Sequence, residues 1–435
     1  MSFTLLSFDF LEKIDGFFWG YIGFMLVVIC GLYFTLKSKF FQFMVLASPR
    51  RTIKNLVEYD EKSRGVHPIR LYFASIGGMI GLGNIVGVVS AIILGGPGAL
   101  FWLWVASIAG MLIKYCEIYL GIKYRTKNVQ NGFDGGSIYF LRHAFQNKWP
   151  ALLVAFFLCI YGVEIFQFTV VSDTLSNTFA LNRYLVISGL SGAILYIGVG
   201  GIKRLANVCS VIMPFFLLAY VAMCLWIIYQ NASHLPELFR VVIKSAFNGH
   251  AAIGGFAGSS FILAAQHGIS RSVYSGDIGI GYDSIIQAET SNPHPERQAR
   301  MAVFALTTDS CICSLSMLLV LITKLWHQEA MPPSEYVPAA LGLYFSHSHI
   351  FIGILLFLAG FTTIVAYFSV GIKSAQYLSP RYGKIIYMAY AIGAFIFFSF
   401  FDQAKALLIM SLSGGILMTI NLIGILKLRD QVKFV

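Results

Sequence analysis

Charged residues are scarce in this chain. Only 12% of its 435 residues are Asp, Glu, Lys or Arg, while 57% are hydrophobic; an ordinary soluble domain carries about 25% charged residues. A single water-soluble core cannot bury that much apolar surface. The apolar residues also fall in runs of about 20, the length that spans a bilayer as a helix. The sequence therefore predicts an all-α polytopic membrane protein embedded in a lipid bilayer.

Signatures of several other protein classes are absent. The seven cysteines form no CxxC or Cys/His cluster, so neither a disulfide framework nor a zinc site is indicated. No GxxxxGK[ST], HExxH or GxSxG sequence occurs, and no polar segment is long enough to be an independent domain. We expect a single transporter domain over residues 1–435, with no enzymatic activity, no cofactor, no nucleic-acid partner and no obligate protein partner.

Eleven apolar segments are candidate spanning helices. Of the 31 Lys and Arg residues, 24 lie in the loops after odd-numbered segments and in the C-terminal tail. Basic residues concentrate on the cytoplasmic side of membrane proteins. We therefore expect an outside N-terminus and a cytoplasmic C-terminus, and we interpret the net charge of +11 as a topology signal. The segments are approximately residues 17–36, 71–94, 98–121, 150–171, 184–200, 207–229, 251–268, 301–323, 349–371, 384–401 and 404–426.

Two glycine clusters interrupt the predicted helices. Residues 77–87 read GGMIGLGNIVG, and residues 254–258, in the seventh segment, read GGFAG. An interior glycine costs a helix about 1 kcal/mol relative to alanine, so such clusters need a reason. Close packing of helices through small residues is one explanation. A break in the helix is the other, because unwound backbone offers N–H groups to anions and carbonyls to cations at membrane depth.

The positions of the two clusters favour broken helices. When the extra N-terminal helix within residues 1–37 is set aside, the other ten segments form two groups of five, 71–229 and 251–426. Each group opens with a glycine-broken helix, and its odd number of helices inverts the second group in the membrane. Paired broken helices at matching places indicate a transporter built from inverted repeats.

The sequence GLGNIVGVVSAIILGGPGALFWLWV, residues 81–105, resembles the signature of the alanine/glycine:cation symporter family. The resemblance implies the leucine-transporter type fold, with ten core helices in two inverted repeats and, here, one extra N-terminal helix. It also implies sodium-driven uptake of a small neutral amino acid such as alanine or glycine through a prokaryotic plasma membrane. Further matches, in the family's order, are GGIKRLANVCSVIMPF (200–215), AAIGGFAG (251–258), RSVYSGDIGIG (271–281), Asp309 of TTDS, and FTT (361–363).

A sodium site follows from a more distant resemblance. GGMIGLGN is similar to the broken first core helix of the bacterial leucine transporter, and AGFTT is similar to its eighth core helix. Carried over by position, the carbonyls of Gly77, Ile80 and Ala359 and the hydroxyls of Thr362 and Thr363 would enclose one sodium ion. Hydrogen bonding of the threonine hydroxyls to carbonyls one turn earlier is the alternative explanation.

The same resemblance implies a substrate site at the breaks. The substrate carboxylate would accept from the N–H groups of Leu82 and Gly83, at the positive end of a half-helix. Its ammonium group would face the carbonyls near Gly254 and Gly255.

Four side chains are further candidates for the substrate pocket. Asn84 would brace the break or contact the ligand, and Gln167 stands where the family has a substrate-contacting glutamine. Tyr367 replaces the family's usual tryptophan and is a candidate pocket wall, while Phe256 is a candidate gate, although an aromatic residue in a membrane helix more commonly serves packing.

Departures from the family pattern bear on substrate and coupling ion. Met79 and Leu82 stand where family members usually carry threonine, so the pocket has fewer hydroxyls and could suit a larger or more apolar substrate. Glu164 replaces an asparagine, three residues before Gln167 on the same helical face. A carboxyl group at membrane depth is a functional hypothesis by default. It makes proton coupling an alternative to sodium, and a hydrogen-bonded structural glutamate is the third interpretation.

Five charged residues remain. Arg271 and Asp277 match the family's arginine and glutamate positions and are candidates for a gate pair on the cytoplasmic side. Asp309 also matches an acidic position of the family. It is a candidate either for coupling or for polar contacts between helices. Lys114 and Glu117 are three residues apart on the third segment. We expect them to form an internal or interfacial pair with a structural role, the alternative being a relay.

Other functional classes stay open at this point. A channel would need a continuous polar pore, and the sequence has no TVGYG-like filter or charged ring. A membrane enzyme would need a catalytic cluster, which the motifs do not supply. A non-transporting sensor with the same fold is the remaining alternative.

Overall fold

The computed structural model describes residues 2–57, 64–129, 131–248, 261–327, 331–346, 348–400 and 403–435. These residues are mainly helical, with a small antiparallel hairpin of strands β1 (Thr126–Lys127) and β2 (Phe133–Asp134). The predicted all-α architecture is confirmed.

The N-terminal region forms one long apolar span and two short helices. Helices α1 (Ser2–Phe17) and α2 (Phe24–Lys37) join through a π-helical turn, Phe18–Gly23. Helices α3 (Phe41–Ala47) and α4 (Pro49–Val57) follow.

The first predicted break is confirmed. Helices α5 (Pro68–Met79) and α6 (Val89–Gly95) form one apolar span that is bent by 49°. Between them Ile80 has an extended backbone, and Gly83–Gly87 forms a π-helical turn. We call residues 80–82 break 1.

The rest of the first half is a series of helices with one further interruption. Helix α9 ends at Tyr161 and α10 begins at Ile165, because Glu164 between them has a φ of +50°. The helices are α7 (Ala99–Lys123), α8 (Ser137–Phe145), α9 (Trp149–Tyr161), α10 (Ile165–Phe179), α11 (Arg183–Val199), α12 (Gly201–Gln230) and α13 (Leu235–Asn248).

A second interrupted helix lies beyond the break predicted at residues 254–258, which are outside the described residues. Helix α14 (Phe261–Gly276) is followed by an interruption and then by α15 (Tyr282–Gln287). Asp277, Gly279 and Gly281 all have positive φ, a conformation that glycine adopts without strain. We call residues 277–281 break 2. The described part of the predicted span 251–268 belongs to α14, which continues to Gly276. Gly254, Gly255 and Phe256 lie outside the described residues, so the break at 254–258 stays a prediction.

Six helices complete the described chain, and α19 is the longest of them. They are α16 (Pro295–Ala299), α17 (Met301–Ile322), α18 (Pro333–Gly342), α19 (Ser348–Leu378), α20 (Gly383–Phe398) and α21 (Gln403–Lys427).

Fewer helices than the predicted eleven meet the length and hydropathy required to cross a membrane. Among the described residues, seven helices are long and apolar enough to cross a membrane, and eight if the bent α5–α6 pair counts as one span. Helices α11 and α20 are apolar but have only 17 and 16 residues, and α14–α15 is interrupted by break 2. The two short helices account for two of the three uncounted spans, and the third, 251–268, lies partly outside the described residues.

The packing brings both breaks to the centre of the molecule. Helix α19 packs against α5, α9, α10 and α12, while α14 packs along α6 and α7 and α15 contacts α5 and α19. Break 1 and break 2 are therefore surrounded by α7, α10, α17 and α19.

Candidate functional site

Side chains hold the backbone of break 1. The Gly81 N–H donates to Asn84 Oδ1 at 3.1 Å, and the Leu82 N–H donates to Gln167 Oε1 at 3.2 Å. Amides at the start of a half-helix lack intrahelical partners, and these two side chains satisfy them. Asn84 thus braces the break, one of its two predicted roles. Gln167 contacts one of the amides predicted to receive the substrate carboxylate.

Glu164 lies one side chain away from break 1. Gln167 Nε2 donates to Glu164 Oε2 at 3.1 Å, so the two residues share a face as predicted. The Glu164 side chain is buried, and its left-handed backbone places it where α9 gives way to α10. A carboxyl group is therefore connected to the Leu82 amide through Gln167.

Four of the five predicted sodium ligands converge. Thr363 Oγ1 donates to the Gly77 carbonyl at 3.0 Å and to the Ala359 carbonyl at 3.1 Å, and Thr362 Oγ1 lies 3.0 Å from the Ala359 carbonyl. Bonds to earlier carbonyls of α19 fit the alternative explanation. The contact between Thr363 and Gly77 does not, because it joins two helices. Ile80, with its extended backbone, ends α5 beside them.

Asp309 connects break 1 to α14. Asn84 Nδ2 donates to Asp309 Oδ1 at 2.6 Å, and Ser275 Oγ donates to Asp309 Oδ2 at 3.1 Å. Ser275 stands two residues before break 2. Asp309 therefore makes the polar contacts between helices that were one of its expected roles.

Break 2 carries a buried charge cluster centred on Lys114. Lys114 Nζ donates to the Gly276 carbonyl at 2.8 Å and lies 3.4 Å from Asp283 Oδ2 and 3.8 Å from Asp277 Oδ2. All three charged side chains are fully buried. In the described part of the chain the ammonium thus pairs with the acids of break 2, and the predicted pairing with Glu117 is replaced. The sequence carried one signal of this arrangement, since a lysine in a membrane span needs a partner.

Aromatic rings line the space between break 2 and α9. The Tyr367 hydroxyl donates to Asp277 Oδ1 at 3.4 Å, its ring stacks on Tyr282 at 3.9 Å, and Tyr161 meets it edge-on at 5.5 Å. Tyr367 is thus part of a buried wall, whose other two members the sequence analysis missed.

Comparison with known proteins assigns the family. Residues 5–435 match the family model described as the sodium:alanine symporter family. The chain belongs to that family. This confirms the resemblance read from the motifs, and it makes the protein a multi-pass membrane transporter and not an enzyme.

Individual relatives agree with this assignment. The symporter is 32% identical to the uncharacterised transporter YflA of Bacillus subtilis (strain 168), over 97% of this chain and 91% of that one. It is 28% identical to the sodium/alanine symporter AgcS of Methanococcus maripaludis, over 97% and 95% of the two chains. The solved structure of MhsT in complex with L-phenylalanine is 15% identical and superposes with a TM-score of 0.56, over 82% and 89% of the chains. That likeness establishes a fold of the leucine-transporter type.

Arg271 is not the partner of Asp277 in the symporter. It lies on α14, where its electrostatic neighbours are Asp15 of α1 and Tyr274, whereas Asp277 faces Lys114 and Tyr367. These two described residues form no ion pair in this structure, and the gate pair, expected when the site faces outward, stays a prediction. Arg271 belongs to α14, which continues past residue 268, and not to a loop.

Proposed function

We propose that the symporter carries a small neutral amino acid, alanine- or glycine-like, together with sodium into the cell by alternating access. The cross-helix contact of Thr363 Oγ1 with the Gly77 carbonyl, beside the Leu82 amide, is the observation that carries this proposal. Oxygen ligands without formal charge suit a hard cation, and half-helix amides suit a carboxylate. Residues 77–83 supply both kinds of group, the backbone carbonyls for the cation and the amide N–H groups for the carboxylate.

Binding of the two substrates is coupled through α5. Sodium held by Gly77, Ile80 and Ala359 carbonyls and by the hydroxyls of Thr362 and Thr363 would fix the end of α5 against α19. This places the Leu82 and Gly83 amides for the substrate carboxylate, which displaces the Gln167 oxygen from Leu82. Coupling between ligands in such systems is typically about 1–3 kcal/mol.

The topology belongs to the same proposal. We assign eleven spans, an extra N-terminal helix and two inverted groups of five, in the plasma (inner) membrane of a prokaryote, with the N-terminus outside and the C-terminus in the cytoplasm. A cavity of about 680 Å³ between α5, α12 and α19 supports this orientation, because its lining is rich in basic residues. We assign it as the cytoplasmic vestibule. Its basic residues are His67, Arg70, Lys203, Lys373 and Lys384.

Removing the Thr363 hydroxyl tests the ion site. In proteoliposomes, Thr363→Val should raise the sodium concentration for half-maximal alanine uptake about tenfold or more, since a bound cation loses one ligand. Thr419→Val is the matched control, because the Thr419 hydroxyl only donates to the Gly415 carbonyl of its own helix. Equal sodium dependence in both variants would assign Thr363 to helix packing.

Proton coupling through Glu164 is the second candidate, favoured by its burial and by its bond to Gln167. Under the sodium proposal, Glu164→Gln should retain sodium-driven uptake, and a proton gradient alone should drive none. Radiolabelled alanine and glycine uptake under a sodium gradient, a proton gradient or neither separates the two. Proton-driven uptake that disappears in Glu164→Gln would transfer the coupling to this residue. Folded protein that takes up no amino acid would contradict both.

A further inference from the structure

A second cavity lies apart from the site described above. It has a volume of about 300 Å³ and is lined by α1, α14, α21 and the π-helical turn after α1. Its polar lining includes Glu12, Asp15, Trp19, His267, Arg271 and Ser411, and its apolar lining includes Leu407 and Leu408.

Two side chains of opposite charge, Asp15 and Arg271, line this cavity but do not form an ion pair with each other. Asp15 and Arg271 are electrostatic neighbours, but the described residues show no ion pair within 4.0 Å between them. Both side chains are only partly exposed. The guanidinium and the carboxylate are therefore available to a ligand between them.

The Tyr274 hydroxyl lines the cavity, is buried and has no hydrogen-bond partner in the described part of the chain. The Asp15 carboxylate, in contrast, interacts with the side chains of Trp19 and Ser411. An unsatisfied buried polar atom costs free energy, and the Tyr274 hydroxyl can either donate to a ligand or accept from it. This independent observation points to a polar ligand.

The chemistry of the lining selects a zwitterion. A simple anion would be attracted to Arg271 but repelled by Asp15 and Glu12. A simple cation would be attracted to the two acids but repelled by Arg271. An α-amino acid satisfies both, since its carboxylate pairs bidentately with the guanidinium and its ammonium pairs with Asp15. The indole and the two leucines accommodate an apolar side chain, and the volume is at the lower end for small-molecule sites.

Tyr274 separates this cavity from break 1. It lines the cavity, and its ring lies 3.6 Å from where a Cβ atom on Gly83 would stand. Its electrostatic neighbours include Glu164 on one side and Arg271 on the other. We propose that the Asp15–Arg271 cavity is a second amino-acid-binding site, one step from the central site on the substrate's path. The identity of the ligand rests on the proposed function.

Counting bound substrate tests this site. Equilibrium binding of radiolabelled alanine to the full-length protein in nanodiscs, with sodium present, should saturate at two per chain. Arg271→Gln and Asp15→Asn should each reduce this to one and leave the affinity of the remaining site unchanged. Arg271→Lys keeps the charge and should retain two, with at least about tenfold weaker binding at one because the bidentate contact is lost. Arg183→Gln, which breaks a partly exposed ion pair with Asp173, is the control and should retain two.

The outcomes separate this inference from the proposed function. One alanine per chain in the parent protein, unaffected by Arg271→Gln, would overturn the second site and leave transport intact. Loss of both bound molecules in a variant as thermally stable as the parent would also overturn it, because the two sites would not be independent. Absence of both binding and uptake in the folded parent would refute the proposed function itself. Asp15→Asn gives the decisive readout if Arg271→Gln fails to fold.

Discussion

Replacing Gly81 with alanine should lower amino-acid uptake about tenfold or more. A Cβ atom at this position would stand 2.5 Å from Thr363 Oγ1 and closer still to Gln167 Oε1. The backbone of Gly81 is outside the left-handed region, so the effect is steric. Overpacking of this kind costs about 1–3 kcal/mol, and here it displaces one side chain of the ion site and one of the substrate site together.

Gly87→Ala is the matched control for this prediction. Gly87 lies in the same glycine-rich segment, and a Cβ atom there would meet nothing within 4 Å. Uptake by Gly87→Ala should stay within about twofold of the parent, because alanine is the better helix former. The measurement is the KM for sodium and for alanine in proteoliposomes. A rise in only one KM in Gly81→Ala would show that the two sites do not share this residue.

The arrangement around break 1 was largely predictable from the sequence. The glycine cluster at 77–87 gave the position of the bend, and helical periodicity put Glu164 and Gln167 on one face. The family resemblance supplied the pairing of Gly77 with Thr363, which are far apart in the chain. These features were accessible because each depends on local spacing or on a contiguous motif.

Break 2 could not be located in the same way. Two acids, Asp277 and Asp283, give its segment the composition of a solvated loop, so hydropathy predicts that the helix ends at residue 268. The charge is tolerated inside the protein because Lys114 lies beside it, and that partner is more than 160 residues away. Compensation between distant residues is invisible to a hydropathy pattern.

Replacing Lys114 with methionine should therefore be the most destabilising single change that we predict. The ammonium is fully buried, donates to the Gly276 carbonyl at the end of α14, and lies within 4 Å of Asp277 and Asp283. Removing one partner of a buried ion pair costs about 3–5 kcal/mol, because the remaining charge is left uncompensated. Here the loss also frees the helix end at break 2, so uptake should fall with stability. Thermal unfolding of the detergent-purified protein and alanine uptake measure the two effects.

Two further variants show whether charge compensation is the cause. Lys37→Met makes the same substitution in an exposed ion pair, that of Lys37 with Asp430. It should change stability little, because water screens the charges of such pairs. Asp283→Asn in the Lys114→Met background removes one uncompensated carboxylate and should recover part of the lost stability. If the double variant were no more stable than Lys114→Met alone, the lysine would stabilise break 2 through its bond to the Gly276 carbonyl, with the nearby carboxylates contributing little. Break 2 would then be held by a hydrogen bond to the end of α14, and the buried acids would be free to serve another role in the transport cycle.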